Sequence, residues 1–165
     1  MAISGLIRGY PQYQMQAKNP ANYQVVGLAK QQIKDQGIQD VFLLDNLGYV
    51  VEATVSNFWV FKGNYAMTPP NKGSILPGVT RKCVADILND PEIMFKKYKK
   101  VPMVVEKDIT RADLYTADCV ILCGTYAEIV NVVKIDGRTI GTPDTHTFFR
   151  TLQTEYSNLV RGRKK

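Results

Sequence analysis

The sequence contains few of the residues that disulfides and metal sites require. Its 165 residues include three cysteines and one histidine, and no two cysteines have the C-x-x-C spacing of a zinc or redox motif. Cys119 and Cys123 fall in an apolar stretch that predicts a buried strand, so we interpret them as reduced structural thiols. We therefore expect no disulfide framework, no metal centre and a reducing compartment, either the cytoplasm or the mitochondrial matrix.

Long apolar runs are also missing. Runs such as Val41–Leu44 are short, whereas a membrane-spanning helix needs about 20 predominantly apolar residues. The first residues lack the basic and apolar regions of a secretory signal, so we expect none. What the chain does have, 45% hydrophobic and 22% charged residues over this length, is typical of one globular domain with its own core.

The net charge of +6 comes in good part from two basic clusters, Lys96–Lys100 and the tail Arg161–Lys165. A basic cluster can bind the phosphates of nucleic acid or another anionic surface. Neither cluster is accompanied by an aromatic platform or a recognition helix. We therefore interpret both as solvated surface and do not favour a nucleic-acid partner.

Turn residues and hydrophobic periodicity predict a mixed α/β domain. Residues 1–18 are polar and irregular, and they predict no element of their own. Strands are predicted over residues 41–44, 49–53, 57–61, 101–105, 120–123 and 129–135. Helices are predicted from Asn19 to a stop at Gly37, over 79–88 and over 145–160. A short helix is predicted after Thr110, which caps it, with Asp113 completing a capping box. The insert 89–100 extends the second helix or forms a short helix of its own.

Function is indicated by four short segments rather than by composition. They are residues 17–23 (AKNPANY), 48–58 (GYVVEATVSNF), 75–81 (ILPGVTR) and 124–129 (GTYAEI). Their order, and nearly all of the spacing between them, resembles the large domain of class IV (fold-type IV) pyridoxal-phosphate aminotransferases, of the branched-chain and D-amino-acid kind. The resemblance covers about residues 8–162. It implies a twisted β-sheet pseudo-barrel flanked by helices.

The resemblance also implies a cofactor, pyridoxal 5′-phosphate, and the residues around its ring. Lys18 matches the lysine that forms the Schiff base and moves the substrate α-proton, and its place before a helix N-terminus disfavours the charged ammonium form. Glu52 matches the carboxylate beside the pyridine nitrogen, and inside an apolar strand it needs a partner or a solvent-facing strand end. Tyr23 matches the tyrosine that bonds the phenolic oxygen, one helical turn from Lys18. From the residues alone, a surface lysine, an edge-strand glutamate and a core tyrosine remain open.

The phosphate group is expected at the helix that follows residue 78. The amides of Val79 and Thr80 and the Thr80 hydroxyl can meet an anion there, because the N-terminus of a helix carries unpaired N–H groups and a partial positive charge. By resemblance, Leu76 packs on the cofactor ring and Thr125 gives another phosphate contact. A plain helix cap and a turn residue remain the alternatives for the two threonines.

The substrates implied by the resemblance are an amino acid and a 2-oxo acid. The turn Gly124–Ala127 borders the substrate carboxylate in the family, which places Tyr126 and Ala127 beside the substrate. Residues 124–129 resemble the branched-chain branch best, and D-amino-acid transaminase and aminodeoxychorismate lyase remain alternatives. Residues 144–147 depart from the family's Gly-Pro-x-Thr step, and we assign His146 no role.

Class IV enzymes are longer, two-domain chains whose small N-terminal domain carries a phosphate-binding arginine. We therefore divide this chain into a leading segment from a missing small domain (1–17), a cofactor-binding large domain (18–160) and a basic tail (161–165). Arg8 lies too close to Lys18 along the chain to be assigned that phosphate role. Three expectations follow: the cofactor-binding half of a transaminase, completed in a homo-oligomer or by a companion chain; a domain that binds the cofactor without turnover; or a non-catalytic structural subunit of a larger assembly.

Overall fold

The computed structural model describes residues 1–8, 16–71, 74–98 and 101–162. The basic residues 99–100 and 163–165, for which a solvated surface was predicted, lie outside these ranges. The strands are β1 (Ala2–Ile7), β2 (Val41–Leu44), β3 (Val50–Ala53), β4 (Asn57–Lys62), β5 (Tyr65–Thr68), β6 (Met103–Glu106), β7 (Cys119–Gly124), β8 (Glu128–Asn131), β9 (Lys134–Ile135) and β10 (Arg138–Thr139). The helices are a short 3-10 helix (Pro20–Tyr23), α1 (Gln24–Ile33), α2 (Val79–Leu88), α3 (Pro91–Tyr98), α4 (Arg111–Tyr115) and α5 (Pro143–Val160). The predicted mixed α/β class is confirmed.

A three-stranded sheet is formed by β1, β2 and β3 in that order, with β1 parallel to β2 and β3 antiparallel to it. Ala2 pairs with Val41 and Ile7 with Leu44, and the N–H of Arg8 donates to the Leu44 carbonyl at 2.7 Å. The prediction that the leading residues form no element is therefore wrong for Ala2–Ile7. The strand forms by pairing with β2, and because β2 lies far along the chain, local patterns carry no signal of that pairing.

A five-stranded sheet in the order β6-β5-β4-β7-β8 forms the middle layer. Phe58 and Val60 of β4 pack with residues of the three-stranded sheet, whereas Trp59 and Phe61 pack with residues of α2 and α5. Successive side chains of a strand point to opposite faces, so β4 is buried on both sides. The sheet thus lies between the smaller sheet and the helices.

The predicted helices are confirmed in kind, with differences at their ends. Helix α2 has the predicted bounds, and Thr110 and Asp113 form the predicted capping box at the start of α4. The insert forms a separate short helix, α3. The first helix ends at Ile33 instead of continuing to Gly37, because the backbone already becomes extended at Lys34.

The single strand predicted over 129–135 is wrong, because β8 and β9 are separate strands. Lys134 and Ile135 leave the large sheet and pair with Thr139 and Arg138 across a tight turn. Its two central residues, 136 and 137, both have positive φ, as a two-residue hairpin turn of this type requires. Within the described residues, no helix is both long enough and apolar enough to cross a membrane.

Candidate active site

A cavity of about 610 Å³ opens where the ends of several elements meet. Its walls come from the segment before the 3-10 helix, the ends of β3 and β7, the start of β4 and the N-terminus of α2. All predicted site residues line it: Lys18, Tyr23, Glu52, Leu76, Val79, Thr80, Thr125, Tyr126 and Ala127. Its volume lies in the range of small-molecule sites, roughly 300–1,000 Å³. A second cavity of about 470 Å³, near the far end of β4, has mostly apolar walls and contains none of these residues.

Lys18 is held at the mouth of the cavity by the chain around it. Asn19 caps the 3-10 helix, since its side chain accepts the N–H of Ala21 at 3.0 Å, and Pro20 is preorganised for the first helical position. The side-chain amide of Asn22 donates to the Ala17 carbonyl at 2.9 Å and closes the loop around the lysine. Lys18 itself is exposed, so its amine is free to reach a ligand in the cavity.

Glu52 lies at the inner end of the cavity and is 3% exposed. It is opposite Leu43 in the antiparallel pair of β3 and β2. Its Oε1 atom forms an ion pair with Nε of Arg8, a side chain that is also 3% exposed. Its Oε2 atom accepts the side-chain amide of Asn57 at 3.2 Å and the backbone N–H of Leu76 at 3.3 Å. The glutamate is therefore a buried, paired carboxylate that does not face solvent, although β3 is an outer strand of its sheet.

The pKa of Glu52 is set by opposing effects. Burial is the largest and raises the pKa to about 7, while the positive charge of Arg8 and the Leu76 N–H act to lower it. A glutamate carboxyl group has an ordinary pKa of 4.5 and is almost fully ionised at neutral pH. Glu52 instead titrates in the neutral range, where a carboxylate can share a proton with a neighbouring nitrogen base.

The N-terminus of α2 faces the cavity on another side. Its cap residue is Gly78, which has extended backbone and no side chain, so the first-turn amides are not capped by a side chain. Thr80 is buried, and its hydroxyl lies 3.4 Å from the hydroxyl of Tyr156 on α5. Val79 is 76% exposed, and its backbone N–H belongs to the uncapped first turn. The arrangement leaves N–H and O–H donors for an anion.

Arg81 fixes the start of α2 on the large sheet. This buried side chain donates to the Thr68 hydroxyl at 3.1 Å, to the Pro69 carbonyl at 2.7 Å and to a Glu106 carboxylate oxygen at 2.6 Å. It also lies over the ring of Trp59, at 6.0 Å from the ring centroid. The donors at the helix start therefore have a fixed position relative to the sheet.

The turn Gly124–Ala127 forms the outer rim of the cavity. Thr125 is exposed and Tyr126 is fully exposed, while the turn ends at Glu128, which has a left-handed φ of 55°. Arg161, just after α5, donates to the Glu128 carboxylate at 2.7 Å. The last helix therefore holds the turn in place from outside.

Two residues of the site were not assigned from the sequence, Arg8 and Asn57. Asn57 belongs to one of the four segments, but nothing in its type or position shows that it bonds both Glu52 and the Leu76 carbonyl, the latter at 2.9 Å. Arg8 could be recognised only from the fact that a buried glutamate needs a counter-charge. The sequence offers many basic residues and does not show which of them is near Glu52.

Comparison with known proteins identifies the family. Residues 2–135 match the family model of class IV aminotransferases. Over 150 residues, the chain is 37% identical to a probable branched-chain-amino-acid aminotransferase of Aquifex aeolicus. This alignment covers 87% of this chain and 46% of the relative. The chain therefore belongs to the class IV aminotransferase family.

Solved structures of the family show the same fold. The branched-chain aminotransferase of Thermoproteus uzoniensis, determined with norvaline, has a TM-score of 0.84 at 29% identity, covering 99% of this chain and 52% of that one. The branched-chain amino acid aminotransferase of Thermobaculum terrenum in its PLP form has a TM-score of 0.81 at 28% identity, covering 99% and 51%. The chain spans about half the length of the curated relatives it matches.

Proposed function

We propose that this chain is the cofactor-binding half of a pyridoxal-phosphate-dependent aminotransferase. One observation carries the proposal: nine residues assigned from four separate sequence segments line a single cavity. Such convergence of distant segments on one concave site is typical of a functional site and is not required by packing. Membership of the class IV family supports the reaction type, transfer of an amino group between an amino acid and a 2-oxo acid.

The cavity fits pyridoxal phosphate in its chemistry. At the inner end lies a buried acid, Glu52, that titrates near neutral pH and can face a ring nitrogen. At the start of α2 lie donors that suit a phosphate, and at the mouth lies the exposed amine of Lys18. The Nη1 nitrogen of Arg8 is buried without a hydrogen-bond partner among the described residues, as expected for a site whose polar ligand completes it.

Pyridoxal phosphate, when bound, supplies an electron sink that allows the substrate Cα–H bond to be broken. Lys18 would hold the cofactor through its amine and would move the proton at the substrate Cα. Glu52 would keep a proton on the ring nitrogen, which preserves the electron-withdrawing form of the ring. Tyr23 would donate to the phenolic oxygen, and Leu76 would pack against the ring. Each of these side chains lines the same cavity, which supports these roles.

The remaining groups orient the phosphate and the substrate. The amides of Val79 and Thr80 and the hydroxyls of Thr80 and Thr125 would donate to the phosphate. The rim turn with Tyr126 and Ala127 borders the substrate carboxylate. Branched-chain amino acids are the favoured substrates because the relatives are named for them, and D-amino-acid transaminase and aminodeoxychorismate lyase chemistry are the alternatives.

The test is covalent trapping. The chain is incubated with pyridoxal phosphate, its absorption spectrum is recorded, and borohydride reduction is followed by peptide mapping. We expect the label on Lys18, loss of the label in Lys18→Ala, and full labelling in the control Lys134→Ala, which changes an exposed lysine of β9 outside the cavity. A label on another lysine, or no label at saturating cofactor, would remove Lys18 from the mechanism.

Activity is tested on native material, because the chain spans only about half of its relatives. We expect it to be associated with a second copy or a companion chain, and to transfer amino groups from L-leucine rather than from D-alanine. D-alanine as the better donor would indicate the D-amino-acid branch. Association with proteins of unrelated function, without cofactor absorbance, would indicate a structural subunit instead.

A further inference from the structure

Arg8 occupies an unusual position for a charged residue. It follows β1 directly, and its backbone N–H continues the pairing with Leu44 of β2. This pairing directs the side chain past β2 to Glu52 on β3, where the guanidinium is buried at 3% exposure. A buried arginine without a counter-charge is strongly destabilising, so the role of Arg8 depends on the carboxylate that balances its charge.

The surroundings of Glu52 leave Arg8 as its one charged contact among the described residues. Oε1 contacts Arg8, and Oε2 accepts from Asn57 and from the Leu76 N–H, which are neutral donors. The other ionisable groups of the described cavity wall are Lys18, Tyr23, Cys123 and Tyr126. The thiol of Cys123 is neutral at physiological pH, because burial raises its pKa to about 12.

We propose that Arg8 is a positioning residue that favours the ionised form of Glu52 and keeps it turned toward the ring nitrogen of the cofactor. The inference rests on the proposed function for the role of Glu52, while the pairing itself is independent of any cofactor. A neutral carboxyl group could not stabilise a positive charge on the ring nitrogen, so the carboxylate form is the useful one. Arg8 therefore acts on the chemistry through Glu52, without contacting the reacting atoms.

The balance at Glu52 supports this role. Burial raises the pKa of Glu52 to about 7, and Arg8 is the largest of the effects that lower it. Removing the positive charge leaves burial opposed only by the Asn57 and Leu76 donors. The pKa then moves further up, and the carboxyl group becomes mostly protonated at neutral pH.

The primary test measures Glu52 directly in the cofactor-free chain. Glutamate carboxyl carbons are labelled with ¹³C, the Glu52 resonance is assigned with Glu52→Gln, and its titration is followed in the wild type, Arg8→Met and Arg8→Lys. We expect the midpoint to rise by roughly one pH unit or more in Arg8→Met and less in Arg8→Lys, which keeps the charge. The control Arg161→Met removes a surface partner of Glu128 and should leave the Glu52 midpoint unchanged.

A midpoint that is unchanged or lower in folded Arg8→Met would overturn the proposal. If that variant is too unstable for titration, its stability against urea is compared at about pH 5 and about pH 8. An ion-pair role predicts a larger loss at the higher pH, where an ionised Glu52 has no counter-charge, and predicts that adding Glu52→Gln recovers much of it. An equal loss at both pH values, or unfolding at both, would show a packing role alone.

In the loaded enzyme, the acid limb of the pH–rate profile should move to higher pH in Arg8→Met and return toward the wild type in Arg8→Lys. An unchanged acid limb would contradict the role at the cofactor. The titration needs no cofactor, so it tests the Arg8–Glu52 coupling even if Lys18 is not labelled. Failure of the labelling would contradict the proposed function, and failure of the titration would contradict the role of Arg8.

Discussion

Gly78 is the position where a single methyl group should do most damage to the site. A Cβ atom added there would lie 2.0 Å from Oδ1 of Asn57, a separation that real Cβ atoms do not show. The backbone of Gly78 has φ −71° and ψ 135°, which any residue can adopt, so the cost of Gly78→Ala is steric and not conformational. Asn57 has to move by about 1 Å for normal contact.

The expected magnitude follows from what Asn57 holds. Its amide donates to the Glu52 carboxylate at 3.2 Å and to the Leu76 carbonyl at 2.9 Å, and a shift of this size weakens both bonds. Losing one neutral bond and one bond to a charged group costs roughly 2–4 kcal/mol. Gly78→Ala should therefore lower the free energy of unfolding by about that amount and weaken binding of pyridoxal phosphate.

Urea denaturation of the cofactor-free chain measures the first effect, and absorption titration with pyridoxal phosphate measures the second. Gly27→Ala is the matched control, because Gly27 lies in α1 with nothing within 4 Å of an added Cβ and should gain about 0.5–1 kcal/mol. In an Asn57→Ala background, Gly78→Ala should cost less than about 1 kcal/mol, since the clashing atom is gone. A stability of Gly78→Ala within about 0.5 kcal/mol of the wild type would refute the reasoning.

Three further changes test other parts of the structure. Thr80→Ala should weaken pyridoxal phosphate binding by roughly 1–3 kcal/mol in absorption titrations, and Thr80→Ser should retain most of the affinity. Thr110→Ala should lower the free energy of unfolding by about 1–2 kcal/mol in urea, because it removes the capping box with Asp113. Glu52 has a pKa of about 7 when folded, above its ordinary value of 4.5, so the folded chain holds an extra proton between these values and loses stability as pH rises through them. Glu52→Gln should abolish this dependence. The free energy of unfolding of the wild type minus that of the variant should therefore fall by on the order of 3 kcal/mol as the pH rises through this range.

Local features of the sequence predicted the elements around the cavity well where one segment contains the whole signal. The bounds of α2 follow from Pro77 and Gly78 before it and from its apolar spacing, and the capping box at α4 is a local pair. Lys18 and Tyr23 were expected to face one cavity, with one helical turn between them. Both line it, although Lys18 precedes the 3-10 helix and is not part of its turn.

Long-range pairing could not be predicted in the same way. β1 is short, contains Ser4 and Gly5, and becomes a strand only through parallel pairing with β2, which lies beyond α1 in the chain. The position of Arg8 depends on that pairing, and so does its contact with Glu52. The sequence indicated that Glu52 needed a partner, but the identity of the partner is a property of the sheet.

The commitment of Arg8 to Glu52 also bears on the phosphate. The described cavity wall contains two cationic side chains, Arg8 and Lys18, and the charge of Arg8 is balanced by Glu52. The donors at the start of α2 are neutral amides and hydroxyls, which orient a phosphate but do not neutralise it. Under the proposed function, we therefore expect a guanidinium that serves the phosphate to come from outside the described cavity wall, in a second domain or a companion chain. The residues proposed to surround the ring are Lys18, Tyr23, Glu52 and Arg8, and all of them line the cavity of this chain. Their proton equilibria are therefore measurable here even where phosphate affinity is low.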